Sequence, residues 1–465
     1  MPTRTQTPHP NRGNGLPTIP VNMVDEGKVT EVAPAPSFGE AARTWAYVAV
    51  NSFGGPAGQI AVLHREIVEK RGWIDEKRFL HALNYCMLLP GPEAQQLATY
   101  IGWLLHGVRG GLVAGLLFIL PGIVALLALS VIYAGFHDTT FVQALFYGIK
   151  PAVIAVVALA VYRIAKRALV SPTHVAIAIA AFVALYFFDV PFPLVIAAAA
   201  VAGVVAVRRG AIPTDTDLQP TDRPPARRSI LAFLTGLAIW VAPTIVVYLV
   251  FGPSSIFTQL TLFFSFAAVI TFGGAYAILA FVAQQAVDVF GWLTADQMLD
   301  GLGLAETTPG PLIMVLQFVG FMAAFAAPTG MDPFVAGALG GLLVTWVTFV
   351  PSFTFIFSGA PYAEYVRSRP GLSAALSGIT AAVVGVMLNL ALFFTVHTLF
   401  ASTGETQYGP ISLPTVDLAT LDVFGLGLAI AAFVALFRFK APLLWTLGLS
   451  ALAGLVYFLV ARPPV

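Results

Sequence analysis

Apolar residues in this chain fall into long runs divided by short polar stretches. The runs lie at about 41–63, 79–105, 111–136, 141–164, 173–189 and 191–207, then 229–251, then 257–285, 297–327, 334–358, 371–399, 422–437 and 441–461. A helix of about 20 residues crosses a hydrocarbon core of ~30 Å, so the pattern predicts a bundle of membrane helices. Several runs are interrupted by glycine and proline, and the interruptions recur. Phe53-Gly54-Gly55 returns as Phe272-Gly273-Gly274, Gly72-Trp73 as Gly291-Trp292, and Pro90-Gly91-Pro92 as Pro309-Gly310-Pro311, each 219 residues later (53 to 272, 72 to 291, 90 to 309). Further on, Gly110-Gly111, Pro121 and Gly148-Ile149 match Gly340-Gly341, Pro351 and Gly378-Ile379 at an offset of 230, so the second copy gains 11 residues in between. The chain carries an internal duplication. Paired Gly/Pro interruptions at corresponding places in two apolar halves point to broken helices around a transport site.

Composition sets the solvent. Of the 465 residues 58% are apolar and 10% charged, with a mean hydropathy of +0.85; a soluble chain carries about 25% charged residues. The net charge of +1 and the lack of a basic block give no sign of nucleic acid. A single cysteine, Cys86, excludes an intrachain disulfide and a multi-cysteine metal site. The histidines His64, His81 and His106 lack the helical spacing of a metal site, and no Walker-type loop occurs. No metal, cofactor or bound ATP is expected.

Five units follow. Residues 1–37 read as a disordered polar tail without the basic start and apolar core of a signal peptide. Residues 38–207 form the first repeat, and 208–228, with five arginines and four prolines, a cytoplasmic linker. Residues 229–251 supply one connecting helix, and 252–461 the second repeat.

Lysine and arginine set orientation when counted in short loops. The loop with Arg163, Lys166 and Arg167 reads as cytoplasmic, whereas its mate at about 400–421 has no Lys or Arg. Conversely, Arg367 and Arg369 lie in a loop whose mate, around His137 and Asp138, has none. The copies therefore read as inverted, the extra helix supplying the single crossing that flips the second. The loop His64–Arg78 holds five Lys/Arg and its mate none. It reaches the cytoplasm only if the runs on either side enter and leave on one face, so two re-entrant hairpins per repeat are expected, with ordinary kinked spans as the alternative. The charges of this loop read as a solvated face, and Trp73 and Trp292 as interfacial anchors.

The bends bear on chemistry. Non-helical backbone at membrane depth is tolerated only where protein or a water-filled cavity satisfies it. Proline favours the first residue of a helix, which nominates Pro56, Pro92 and Pro311 as starts of half-helices. Such a start presents unpaired N–H groups and the positive end of the dipole, a setting for an anion. Ala275 follows Gly273-Gly274, so that start lacks the proline cue.

The run Phe53-Gly54-Gly55-Pro56-Ala57-Gly58-Gln59-Ile60, the Gly72-Trp73 pair, and Leu88-Leu89-Pro90-Gly91-Pro92-Glu93-Ala94-Gln95-Gln96-Leu97 through Trp103 strongly resemble the chromate ion transporter family. The second half, with Phe272-Gly273-Gly274-Ala275-Tyr276 and Thr308-Pro309-Gly310-Pro311, is similar to the second domain of its long, two-domain members, and the resemblance covers about 38–461. It implies an inner-membrane carrier that expels chromate, with sulfate as a structural analogue, and no enzyme.

Both are tetrahedral dianions that need several hydrogen-bond donors and some positive charge away from bulk water. Half-helix amides near Gly54, Gly55, Gly91, Gly273, Gly274 and Gly310 are candidate donors, framed by Pro56, Pro90, Pro92, Pro309 and Pro311. Asn51, Ser52, Gln59, Gln96, Thr271, Thr307 and Thr308 are side-chain candidates. Lys150 is the one cation well inside an apolar run; it either serves the anion or snorkels to an interface. Glu93 and Glu306 have no acidic mates, since Leu312 and Met87 stand opposite, and both are proton-coupling candidates; for Glu93 the alternative is a dipole-stabilising residue at a helix start. Membrane lipid is an expected partner, and a homodimer stays open. A sulfate importer, a passive anion channel and, last, an intramembrane enzyme are the alternatives. An enzyme would need a clustered nucleophile and base, a redox cysteine pair or a cofactor fingerprint, and none is found.

Overall fold

The computed structural model describes residues 36–209, 226–272, 274–327, 329–362, 370–409 and 411–461. Nearly all of the polar tail, most of the linker, Gly273, Arg367 and Arg369 lie outside the described residues. The helices are α1 (Phe38–Val50), α2 (Gly55–His64), α3 (Glu76–Cys86), α4 (Glu93–Phe136), α5 (Thr140–Ala168), α6 (Pro172–Phe188), α7 (Phe192–Arg208), α8 (Ala226–Phe251), α9 (Ile256–Ile270), α10 (Ala275–Gln284), α11 (Ala295–Thr307), α12 (Val315–Ala326), α13 (Pro333–Gly359), α14 (Pro370–Leu399), α15 (Val423–Phe437) and α16 (Leu443–Ala461). Among them α4, α5, α8, α13, α14 and α16 are long and apolar enough to cross a membrane. The chain is an all-α polytopic membrane protein.

Each interrupted apolar run becomes two helices. Breaks fall at 51–54 between α1 and α2, at 87–92 between α3 and α4, at 271–274 between α9 and α10, and at 308–311 before the short 3-10 turn Leu312–Met314 that leads into α12. At 1.5 Å per residue the 13 residues of α1 reach about 20 Å, too short to cross a ~30 Å core alone. Positive φ recurs at the paired glycines: 69° at Gly55 and 93° at Gly274, 127° at Gly91 and 109° at Gly310. Only glycine adopts these angles without strain, which is why the breaks sit where the glycines are. A π-helical turn follows α2 at Arg65–Glu69 and α10 at Gln285–Val289, so even this irregularity is duplicated.

The 44 residues of α4 would span about 66 Å if straight, over twice the core. Instead the chain reverses at His106 (φ −138°, ψ 25°) and Gly107 (φ 62°, ψ −154°). The two arms touch through glycine, since a Cβ built on Gly102 would stand 2.5 Å from the Gly110 carbonyl oxygen. In the second copy α12 and α13 repeat this hairpin across a longer connection, and a Cβ on Gly340 would stand 2.5 Å from the Gly320 oxygen.

Packing crosses between the copies. In the first, α5 lies against α15 and α16; in the second, its counterpart α14 lies against α6 and α7. The contacts use matched glycines: Gly148 of α5 meets Ser450 and Gly454 of α16, and Gly378 of α14 meets Ala199 and Gly203 of α7. Close approach through small residues is how helices associate where lipid is as apolar as the side chains. Each copy is thus packed against the last helices of the other, in reciprocal contacts. The connecting helix α8 runs along α13, with Trp346 Nε1 donating to the Ile239 carbonyl at 3.0 Å.

Three local features depart from expectation. The loop from His64 to Arg78 is not wholly solvated: Glu66 is 1% exposed, and it accepts from Lys70 Nζ at 2.7 Å and from Arg71 Nη1. Trp73 and Trp292 are buried against protein, Trp73 beneath the Arg71 guanidinium and Trp292 stacked on Phe290. The stretch 400–421 carries a two-stranded antiparallel hairpin, Thr403–Tyr408 with Ile411–Val416, pairing Thr403 with Val416 and Tyr408 with Ile411.

Two outcomes are expected in detergent-solubilised protein. A Cβ on Gly378 meets the Gly203 backbone, whereas nothing lies within 4 Å of one on Gly427. Gly378→Val therefore lowers the melting temperature by an overpacking cost of about 1–3 kcal/mol, and Gly427→Ala leaves it unchanged or raised. Burial pushes the Glu66 carboxyl up, but its bonds and charge attraction to Lys70 and Arg71 outweigh this and hold it below its ordinary 4.5. A carboxyl lowered by folding stabilises the fold above its unfolded value and loses that contribution as pH falls through the folded one. Glu66→Gln should then lower the melting temperature near neutral pH, and the gap to wild type should close as pH drops below 4.5.

Candidate functional site

The four breaks meet. The Gly91 amide donates to the Thr271 carbonyl at 2.9 Å, and the Gly310 amide donates to the Ser52 carbonyl at 2.9 Å. Residues 52 and 271, and 91 and 310, are mates at the 219 offset, so these are one bond made twice. The second break of each copy is fastened to the first break of the other. Around this frame the starts of α2, α4 and α10 leave first-turn N–H groups without a partner inside their own helix. Pro56 lies in the first turn of α2, Pro92 immediately precedes α4, and Pro311 precedes the turn leading to α12, close to where the sequence placed half-helix starts. The start at Ala275, which lacks a proline, also forms, capped by Gly274.

Side chains around the frame are not symmetric. Gln59, 2% exposed, donates from Nε2 to the Gly310 carbonyl at 2.6 Å; its mate is the apolar Ile278. Gln96 is fully buried, donates from Nε2 to the Pro90 carbonyl at 2.7 Å, and leaves its Oε1 without a hydrogen-bond partner. A Cβ on Gly91 would stand 2.7 Å from that Gln96 Nε2, so the break has no room for a side chain. Behind it, Ser352 of α13 donates to Gln95 Oε1, and Gln95 Nε2 donates to Thr99 at 3.0 Å.

Both glutamates singled out from sequence reach the centre. A Cβ on Gly274 would stand 3.6 Å from Glu93 Oε1, which sets the first residue of α4 beside the start of α10. Glu306, 2% exposed, accepts from the Tyr276 hydroxyl, and that hydroxyl lies 3.8 Å from where a Cβ on Gly55 would be. Each copy's first break therefore has an acidic residue at hand, reached directly on one side and through a phenol on the other.

Other candidates stand differently. Asn51 is exposed and caps α1 by donating to the Tyr47 carbonyl at 2.8 Å. The hydroxyls of Ser52, Thr271, Thr307 and Thr308 donate to carbonyls three or four residues back on their own helices, so their protons are engaged locally. Lys150 is paired with the carboxylates of Asp296 at 2.7 Å and Asp300 at 3.8 Å, both on α11. Sequence reasoning did not single out Asp300, Gln95 or Ser352: nothing in the local sequence marks the partner of each, and only the fold shows what it meets.

A chain built on paired helix breaks, with half-helix starts at its centre, is a multi-pass membrane protein with the frame of a transporter. The family described as chromate transporter matches it twice, over residues 39–204 and 258–455, one match for each copy of the duplication. This protein belongs to the chromate transporter family. It is 34% identical over 365 residues to a chromate transport protein of Pseudomonas aeruginosa, covering 77% of this chain and 81% of that one. It is 27% identical over 369 residues to a probable chromate transport protein of Synechococcus elongatus, covering 78% and 86%. Against a chromate transport protein of Cupriavidus metallidurans it is 26% identical over 378 residues, covering 80% and 83%. No solved structure matches the chain.

Removing the buried Gln59 amide leaves the Gly310 carbonyl unpaired. Gln59→Leu is expected to lower the melting temperature by a loss of about 1–3 kcal/mol, while Asn51→Ala, at an exposed cap, shifts it far less; thermal unfolding of the purified protein reads both.

Proposed function

We propose that this protein is a secondary carrier that expels chromate, with sulfate as a competing analogue, from the cytoplasm across the plasma membrane. The observation that carries the reading is the meeting of four helix breaks between the two copies. Half-helix starts converge there, and their amides and dipoles suit a tetrahedral dianion. Family membership and the names of the relatives supply the anion. The copies are read as inverted repeats, 38–207 and 252–461, joined by a cytoplasmic linker and one connecting helix. Their broken helices are read as re-entrant, each turning back at the break.

Energetics favour export. Moving one charge across 100 mV is worth about 2.3 kcal/mol, so a dianion leaving a negative interior gains about 4.6 kcal/mol. At 1.36 kcal/mol per decade this sustains a gradient of over a thousandfold without a coupling ion. Glu93 and Glu306 add a way to couple protons. An ionised glutamate repels a dianion, so protonation and anion binding favour each other.

The test is uptake of labelled chromate into everted membrane vesicles under an imposed potential, with excess sulfate as competitor. Saturable, potential-driven accumulation that sulfate inhibits is expected. Gly91→Val and Gly310→Val, which force a side chain into positive-φ breaks at a strain of about 1–3 kcal/mol, are expected to cut the rate by about tenfold or more at matched protein level. Asn51→Ala is expected to stay within about twofold, since its side chain only caps α1. Accumulation no greater than in vesicles lacking the protein would overturn the chromate reading. Flux that does not saturate would indicate a passive channel.

A further inference from the structure

A buried charge cluster lies apart from the breaks. Asp300, 5% exposed, sits one turn into α11 from Asp296, whose side chain is 61% exposed. One Asp300 oxygen, Oδ2, accepts from the Tyr133 hydroxyl of α4 at 2.8 Å. The other, Oδ1, has no hydrogen-bond partner. The nearest cation is Lys150 of α5, 3.8 Å from Oδ1, and it is committed to Asp296 at 2.7 Å. Two carboxylates thus share one ammonium, and the buried one has the weaker claim.

A carboxylate in this position must be paired or neutral, because an isolated buried charge is too costly to keep. We propose that Asp300, Lys150 and Tyr133 form a proton-binding site in which a proton and the Lys150 ammonium compete for the Asp300 carboxylate. With the proton on Oδ1, Lys150 stays on Asp296. When the proton leaves, Lys150 moves about 1 Å toward Asp300, to ordinary ion-pair distance. The exposed Asp296, an i, i+4 neighbour on the same helix face, provides the route for the proton to water. No bond other than O–H forms or breaks.

The surroundings hold few competing groups. From α4, His137 stacks on Tyr133 and pairs with the exposed Asp138. From α14 the one titratable group is His397, whose Nδ1 lies 2.8 Å from its own helix's Phe393 carbonyl. The stretch 315–326 of α12 holds no titratable residue. The cluster also departs from the duplication: the mates of Asp300 and Lys150 are His81 and Thr380. A group needed only to build the frame would be expected in both copies. Because α11 runs directly into the break at 308–311, a shift of Lys150 between the two aspartates pulls α5 against the helix that carries Glu306 and leads to Gly310.

Proton binding does not depend on the transport reading, but its coupling to anion movement rests on it, so two measurements are needed. The first is infrared titration of the purified full chain from mildly acidic to mildly alkaline pH, following the protonated-carboxyl C=O band. A titrating band is expected that disappears in Asp300→Asn, a change that keeps an acceptor for Tyr133, and that moves to lower pH in Asp296→Asn, which leaves Lys150 free to pair with Asp300. Absence of the band in wild type, or an unchanged band in Asp300→Asn, overturns the site. If Asp300→Asn fails to fold, Tyr133→Phe removes the bond to Oδ2 and should shift the band's frequency; no shift overturns the site equally. The second is chromate flux in proteoliposomes under an imposed pH gradient or an imposed potential. Asp300→Asn should keep potential-driven flux and lose at least most of the response to the pH gradient; an unchanged response overturns the coupling. Absence of any chromate flux in wild type would defeat the transport reading instead, and the infrared result would still decide the proton site.

Discussion

An unpaired peptide group is among the most expensive things to place in hydrocarbon, and four interrupted helices expose several of them. The fold meets this constraint by making the interruptions satisfy each other. Gly91 gives its amide proton to Thr271, and Gly310 gives its own to Ser52. Gln59 adds a donor for the Gly310 carbonyl. These bonds are useful only if the two copies face one another closely, so they set the geometry of everything around them: the small residues where α5 meets α16 and α14 meets α7, and the tight turns at positive φ. They also leave the half-helix starts close to each other, with Tyr276 beside Gly55 and Glu93 beside Gly274.

Symmetry in the backbone and asymmetry in the side chains divide the labour. The breaks, the π-helical turns after α2 and α10, and the crossed packing all come in pairs. The polar groups at the centre do not. Gln59 stands opposite Ile278, Glu93 opposite Leu312, Tyr276 opposite Ala57 and Glu306 opposite Met87. The frame is duplicated, and the polar residues that differ between its copies make the two halves of the centre chemically unlike.

Much of this was legible in the sequence, and the reason is physical. Glycine and proline report backbone geometry directly, so the break positions, the half-helix starts and the apolar runs could be read from residue type and spacing alone. Glu93 and Glu306 stood out because a carboxylate in an apolar run is rare. What could not be read were relations across the fold. Glu66 looked like one charge among many until the structure enclosed it between Lys70 and Arg71. Lys150 looked free because its partners, Asp296 and Asp300, lie some 150 residues away in a separate run. The hairpin at 403–416 hid in a stretch with weak alternation, marked in the sequence only by the neighbouring Gly409 and Pro410.

The crossed packing of the two copies bears on how the chain is made. When a ribosome has finished α7, the Gly91 amide still lacks its Thr271 acceptor and α5 still lacks α15 and α16. Until residue 271 exists, the Gly91 amide has no Thr271 carbonyl to donate to. Completion of each half is therefore tied to the other: a chain that stopped before α16 would lack contacts of its first half as well as a helix of its second.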